Sequence, residues 1–342
     1  MSGTDTPKPD FSIIVPTINS IGTIEALIAA LQNQDFPYAV EYIFMDSCSS
    51  DGTAEYLASL AFADKRVVTV PAGTFSHGGT RMQAARLAKG KIVFFFTHDM
   101  VPIGRDFLMR LSEPVRSGRA PASYGVFQIH PQRHDPVDAY LHNDWHLGIP
   151  DITGPITPFC WEQVTPELKR RWSNFDDCSS CIRRDVLLQH EFPAVSYGED
   201  MLFAKRLLMA GETIALAREA RFYHWHHVSF SYMMKRMIID QHLSVREFGY
   251  YYVRRKLGVI KAILLRAGQR TLLAFLKIRM PFFRKFYWSF YNLKVLSADF
   301  IGKYIGQLPE SAARGRSRVN RRLYRLQQRV LSEVNEKSIG RY

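Results

Sequence analysis

Between residues 11 and 96 the chain alternates four times between a short apolar run and a stretch of helical period. The runs lie at 11–16 (FSIIVP), 40–45 (VEYIFM), 67–70 (VVTV) and 92–96 (IVFFF). Each is short, apolar and closed by a polar loop or turn, which predicts strands. Between them Ile24, Leu27, Ile28 and Leu31, then Tyr56, Leu57 and Leu60, then Ala84, Ala85 and Leu87, fall at helical spacing. Such alternation predicts an α/β chain with a mainly parallel sheet and helices on both faces. The fourth run, five consecutive apolar residues, reads as a strand buried on both sides. Open sheets of this kind bind ligands in the crevice beyond the carboxyl ends of their strands. The residues just past each run are therefore the first candidates for function.

Thr17 and Asn19 follow the first run, Asp46 ends the second, and His98 and Asp99 follow the fourth. Asp46 can accept a hydrogen bond from the imide NH of a pyrimidine, with Thr17 at its flank. The small residues of MDSCSSDGT let backbone approach a ligand, and Asp51 can cap the helix that follows. In GTFSHGGTR, His77, Gly79 and Arg81 offer a guanidinium and open backbone to a nucleotide. Asp99 can hold a divalent cation that bridges phosphates. Singly, these residues read as turn, cap or solvated helix positions. Their joint placement at successive strand ends favours a nucleotide site.

Beyond Pro102 the pattern predicts a helix over 105–116 and a strand over 124–129. Residues 130–175 are rich in His, Trp, Pro and Asp with little period, the mark of a functional loop or lid, and Trp145 in it is a candidate acceptor contact. A strand-like stretch near Ser180 and a helix over 184–190 follow. Tyr197-Gly198-Glu199-Asp200 then opens a helix carrying Leu202, Phe203, Leu207 and Leu208. Acids at a helix start serve the helix dipole, or one of them acts as a general base. Asp200 is the candidate base and Glu199 a candidate acceptor contact. Residues 213–216 and 221–223 are strand-like. In the HWHH that follows, His224 and His226 sit on the same side of an extended segment, where both can face a metal or phosphate. Cys178-Ser-Ser-Cys181 has the spacing of a zinc or redox half-site, but no second such pair occurs and no strand–helix redox context precedes it. Helical period resumes from Tyr232.

The charge is unevenly placed. Residues 1–250 carry 24 Lys+Arg and 28 Asp+Glu, whereas residues 251–342 carry 21 and 4. This divides the chain into a 1–250 unit and a basic, aromatic, helical 251–342 region. Amphipathic helices with Phe282, Phe283, Phe286, Tyr287, Trp288 and Tyr291 among Arg and Lys fit an anionic membrane surface. Packing on the first unit or on a second copy, giving a homo-oligomer, is the plainer reading. Nucleic acid is disfavoured because no recognised module is visible. The apolar fraction of 46% excludes wholesale disorder, and no run of eighteen uncharged apolar residues predicts a bilayer span. With no leader-like N-terminus and four cysteines, the expected location is cytoplasmic.

Taken in order, IIVPTINS, MDSCSSDGT, HGGTR, FFFTHDMVP, GED before an apolar helix, and HWHH resemble glycosyltransferase family 2 over roughly residues 10–250. These are inverting nucleotide-sugar transferases of GT-A fold. FSHGGTR with THDMVP is similar to the rhamnosyltransferase branch, where a TQD-type sequence replaces the usual DxD. The resemblance implies that Thr17, Asp46 and Arg81 contact the nucleotide and that Asp99 meets metal and diphosphate. It further implies that Asp200 is the base and that His224 or His226 lies on the metal side. Thr97 stands where DxD has its first acid, with His98 at the middle position, so a strict need for Mg2+ or Mn2+ does not follow. The implied donor is dTDP-L-rhamnose, or another such as a UDP-hexose. The implied acceptor is a hydroxyl of a glycan or lipid-linked glycan, at the inner face of the cytoplasmic membrane. A non-catalytic nucleotide- or membrane-binding module is the rival reading and has no need of Asp200.

Overall fold

The computed structural model describes residues 9–130, 134–224, 228–253 and 255–337. Strands β1 (Phe11–Thr17), β2 (Val40–Asp46), β3 (Lys65–Thr69) and β4 (Ile92–Phe96) form the expected parallel block in the order β3-β2-β1-β4. Helices α1 (Ile21–Gln32), α2 (Thr53–Ser59) and α3 (His77–Leu87) make the crossovers. The pleat sends Phe95 of β4 into one core cluster with Ile14 and Ile43, and Phe94 and Phe96 into another with Ile13, Val15 and Leu27. β4 is thus covered on both faces, as its unbroken apolar run requires.

Further along come β5 (Val101–Pro102), α4 (Phe107–Arg116) and β6 (Ala122–Gln128). The segment expected as an irregular loop instead holds α5 (Pro136–His142), a 3-10 turn at Trp145–Gly148, β7 (Ile152–Thr153), α6 (Pro158–Gln163) and α7 (Pro166–Trp172). Its three helices open on Asp135-Pro136, Thr157-Pro158 and Thr165-Pro166. In each, the Asp or Thr side chain accepts from a first-turn N–H while proline supplies a preset φ. These starts are local and short, so no apolar period announces them.

β8 (Ser179–Arg183) runs antiparallel to both β4 and β6. After α8 (Arg184–His190) and α9 (Glu199–Met209), β9 (Ile214–Tyr223) pairs parallel with β6, and β5 and β7 pair antiparallel with β9. The two strand-like stretches expected over 213–223 are one strand, paired with β6 across a register shift at Tyr124/Val126.

The last layer is helical: α10 (Phe230–Phe248), α11 (Lys256–Leu276), α12 (Phe282–Gly306) and α13 (Arg318–Lys337). α10 and α12 pack with almost nothing between them. A Cβ on Gly302 would lie 2.7 Å from the Met234 carbonyl oxygen, and one on Gly306 2.4 Å from that of Ile238. The helical hairpin is also tied to α5. Asn292 donates to Asp135 at 2.9 Å, and Arg270 pairs with Asp138. Among the described residues no helix is long and apolar enough to cross a membrane.

Candidate active site

The first part of the site is a polar notch where β1 and β2 end. Their register sets Thr17 beside Asp46. Thr17 donates to Asp46 Oδ1 at 3.1 Å, and Ser49 donates to the same carboxylate through its backbone N–H at 3.0 Å and its hydroxyl at 2.6 Å. Asn19, at φ 43°, ties the two loops together. Its N–H donates to Ser49 Oγ at 2.8 Å, and its side-chain oxygen accepts from the Ser50 N–H at 2.9 Å. Asp51 joins the starts of α1 and α2 by accepting from the N–H groups of Ile21 and Thr53.

The second part follows from the direction of β8. Because β8 is antiparallel to β4, with Ser179 opposite Phe96, the residues before β8 stand beside those after β4. The Thr97 N–H donates to the Cys178 carbonyl at 3.1 Å across this junction. Asp176 and Asp177 are thereby brought to the crevice that holds Asp99. β9 ends at the same edge, where the His224 N–H donates to the Gln128 carbonyl at 3.2 Å and its ring Nε2 lies 3.4 Å from Asp99 Oδ1. Burial opposes protonation of His224, but Asp99 and Asp176 outweigh it and hold the imidazole above its ordinary value.

α9 delivers two more carboxylates. Gly198 sits at φ 74°, and a Cβ there would meet Leu243 Cδ2 at 2.3 Å, so the turn that starts α9 requires glycine. Glu199 is buried, while Asp200 is partly exposed and accepts from the Met201 N–H at 2.7 Å. Burial, then Asp177 and Glu199, push the Asp200 carboxyl well above the usual range. Burial and Asp177 likewise raise Glu199, against the pull of Arg81. Asp176 is raised by burial, with His224 opposing.

Arg81, fully buried on α3, lies within this group. It stands 3.3 Å from Asp177 and 3.6 Å from Glu199 and donates to the His77 carbonyl at 3.2 Å. Beside it the His77 imidazole is lowered to about 4 by burial and by Arg81, so it is neutral at pH 7. Gly79 lies in the first turn of α3, its N–H donating to the Ser76 hydroxyl that caps the helix. His98 Nδ1 is 2.9 Å from the Thr23 hydroxyl. Trp145 packs against Phe127 and His142 and donates to the Phe127 carbonyl at 3.4 Å. His226 falls outside the described residues.

The structure thus gathers Asp99, His224, Arg81, Glu199 and Asp200 and adds three residues that sequence reasoning missed. Asp176 and Asp177 carried one signal, a pair of acids just before a strand, which gains meaning only once that strand is known to be reversed. The third, Arg236, is exposed on α10 and lies within the electrostatic reach of Tyr197, His224 and Cys178. The ligand atoms of Asp176, Asp177 and Cys178 lie within 4.8 Å of one another. Burial and Asp176 keep the Cys178 thiol far above its ordinary value, so it stays protonated. What remains is carboxylate oxygen with one imidazole, a donor set suited to Mg2+ or Mn2+ rather than to zinc. Crowded carboxylates with raised proton affinity also fit a nearby divalent cation on charge grounds. Cys181 is buried in the core around Phe94 and Phe222, and all four cysteines are free.

A mixed sheet with a parallel half, carboxylates gathered at its carboxyl edge and helices appended beyond it is the GT-A type of fold. The same fold is found in the mannosyltransferase PcManGT from Pyrobaculum calidifontis, solved with GDP-Man and Mn2+ (TM-score 0.51, 16% identity, 97% of this chain and 88% of that one). S. aureus TarS 1–349, solved with UDP-GlcNAc, is also similar (TM-score 0.46, 18% identity, 96% of this chain and 89% of that one). Residues 12–165 match the family described as Glycosyl transferase family 2. It takes in the Asp46 notch and Asp99 and ends before Asp176, Glu199 and Asp200. A curated relative is the putative teichuronic acid biosynthesis glycosyltransferase TuaG of Bacillus subtilis, 28% identical over 168 residues. That alignment spans 47% of this chain and 66% of the relative, just under two thirds of its length.

Proposed function

We propose that the chain is an inverting glycosyltransferase. It transfers a sugar from a nucleoside diphosphate donor to a hydroxyl of a glycan or lipid-linked glycan. The observation that carries the reading is the assembly of Asp99, Asp176, Asp177, Glu199, Asp200 and His224 from four separate segments at one sheet edge, next to the Asp46 notch. The notch takes the base: Asp46 accepts from an imide NH while Thr17 and Asn19 hold its loop in place. A divalent cation, held by Asp99 and His224 with Asp176 near, would supply charge stabilisation to the departing diphosphate. Arg236 adds a fixed positive charge from α10.

Asp200 is the base. Its raised proton affinity makes it an effective acceptor of the hydroxyl proton, and its partial exposure lets an acceptor approach. One oxygen is held by the Met201 N–H, which leaves the other for the incoming hydroxyl. Attack from the face opposite the diphosphate inverts the anomeric centre. On its resemblance to the FSHGGTR and THDMVP pattern, the donor is dTDP-L-rhamnose.

The test pairs Asp200→Asn with a thermal-shift panel of dTDP-, UDP- and GDP-sugars, each with and without Mn2+. The variant should lose about 10²–10⁴-fold in transfer while its donor-induced shift stays that of the wild type. Normal turnover would remove Asp200 from the role of base. A larger shift with a UDP-hexose than with dTDP-L-rhamnose would replace the donor and leave the reaction type in place.

A further inference from the structure

The helical hairpin of α11 and α12 has two apolar faces, and only one is covered. On α11, Val259, Ala267 and Ala274 are buried, whereas Leu264, Leu272 and Leu276 on the opposite side are open, Leu276 at 70% exposure. On α12, Trp288, Tyr291 and Leu296 are buried, while Phe282, Phe283, Phe286 and Phe290 face out, Phe290 at 72%. Helical spacing places each open set on a single stripe. Phe275, Phe282 and Phe286 pack edge to face at 5.1–5.9 Å, so the open rings form a preformed cluster. An uncovered row of this size marks a docking surface.

Charge says what covers it. Residues 251–298 contain eleven Lys+Arg and not one Asp or Glu. Of these, Arg270 is engaged by Asp138 and Lys285 donates to the Phe275 carbonyl, whereas Lys261, Arg266, Arg284 and Lys294 have no ion pair among the described residues. A second copy of the chain would bring two acid-free cationic faces together and is opposed by their repulsion. A nucleic acid would satisfy the cations but give the bare leucines nothing to replace water. A cleft of about 470 Å³ beside the row combines the same chemistries, with Arg255 and Arg266 set among Leu265 and Phe300.

We propose that this face docks on an anionic lipid bilayer. The Phe and Leu side chains enter the boundary between headgroups and acyl chains, and the Lys and Arg side chains reach the lipid phosphates. The inference rests on this face alone and is independent of the transferase reading.

The full-length protein is sedimented with phosphatidylcholine vesicles and with vesicles containing phosphatidylglycerol. It should pellet with the anionic vesicles only, and added salt should weaken the binding. The Lys261→Glu/Arg284→Glu variant should bind these vesicles about tenfold or more weakly. The Phe283→Ser/Phe290→Ser variant should bind as poorly even at low salt. These side chains are exposed, so circular dichroism, thermal midpoint and donor-induced thermal shift should match the wild type. That match separates a failed docking surface from a failed active site. The proposal is overturned if wild type ignores both vesicle types or pellets equally with them. It is also overturned if Phe283→Ser/Phe290→Ser converts an oligomer to a monomer without changing lipid binding, or if DNA competes while the Phe variant still binds vesicles.

Discussion

Glu199 and Asp200 are neighbours in sequence with different surroundings, and that difference divides their work. Glu199 is buried against Arg81, whereas Asp200 looks into the crevice. Arg81 was expected to meet the nucleotide, and in the structure its guanidinium spans Asp177 and Glu199. Its fork shape matters there because a lysine cannot reach two carboxylates and the His77 carbonyl at once. Arg81→Lys should therefore lower the unfolding free energy by about 2 kcal/mol, measured by urea denaturation. At this scale the sequence was readable where a residue directly follows a parallel strand, as with Asp46 and Asp99. Asp176 and Asp177 were not readable, because their place depends on the direction of a strand that follows them.

Elements tell the same story. The parallel block was plain from its alternation of short apolar runs with stretches of helical period, β1 and β4 being the strands most deeply buried. The reversal of β8 was not, because a strand with only four buried residues looks the same in either direction. The short helices between 130 and 175 carried Asp-Pro and Thr-Pro starts, yet seven residues or fewer are too few to show a period. One of these starts has a measurable signature. Burial, and next to it Asp138, raise the Asp135 carboxyl at the head of α5 to about 6. The folded state therefore holds this proton more tightly than the unfolded chain, whose value lies near 3.8. Its contribution to stability is full below that unfolded value and is lost as the pH rises through about 6. Asp135→Asn keeps the cap and removes the titration. From pH 4 to pH 7 the unfolding free energy should fall by about 2 kcal/mol more in wild type than in the variant.

For the whole molecule, the uneven charge marked the basic region, but not how it is attached. α10 lies within the first 250 residues, yet its Ile238 is buried with Ile305 of α12 and Val330 of α13. Removing residues 251–342 should uncover that apolar face. The shortened chain should melt at a lower temperature and aggregate, read by calorimetry and size-exclusion chromatography. Gly302 and Gly306 have a mechanical consequence as well. With no side-chain cushion at these two crossings, α10 and α12 behave as one girder, carrying Arg236 at one end of its reach and the phenylalanine row at the other. If that row docks on a lipid leaflet as proposed, the depth to which it sinks would set the height and tilt of the carboxylate-lined crevice above it, and so which hydroxyls on a lipid-tethered acceptor would come within range.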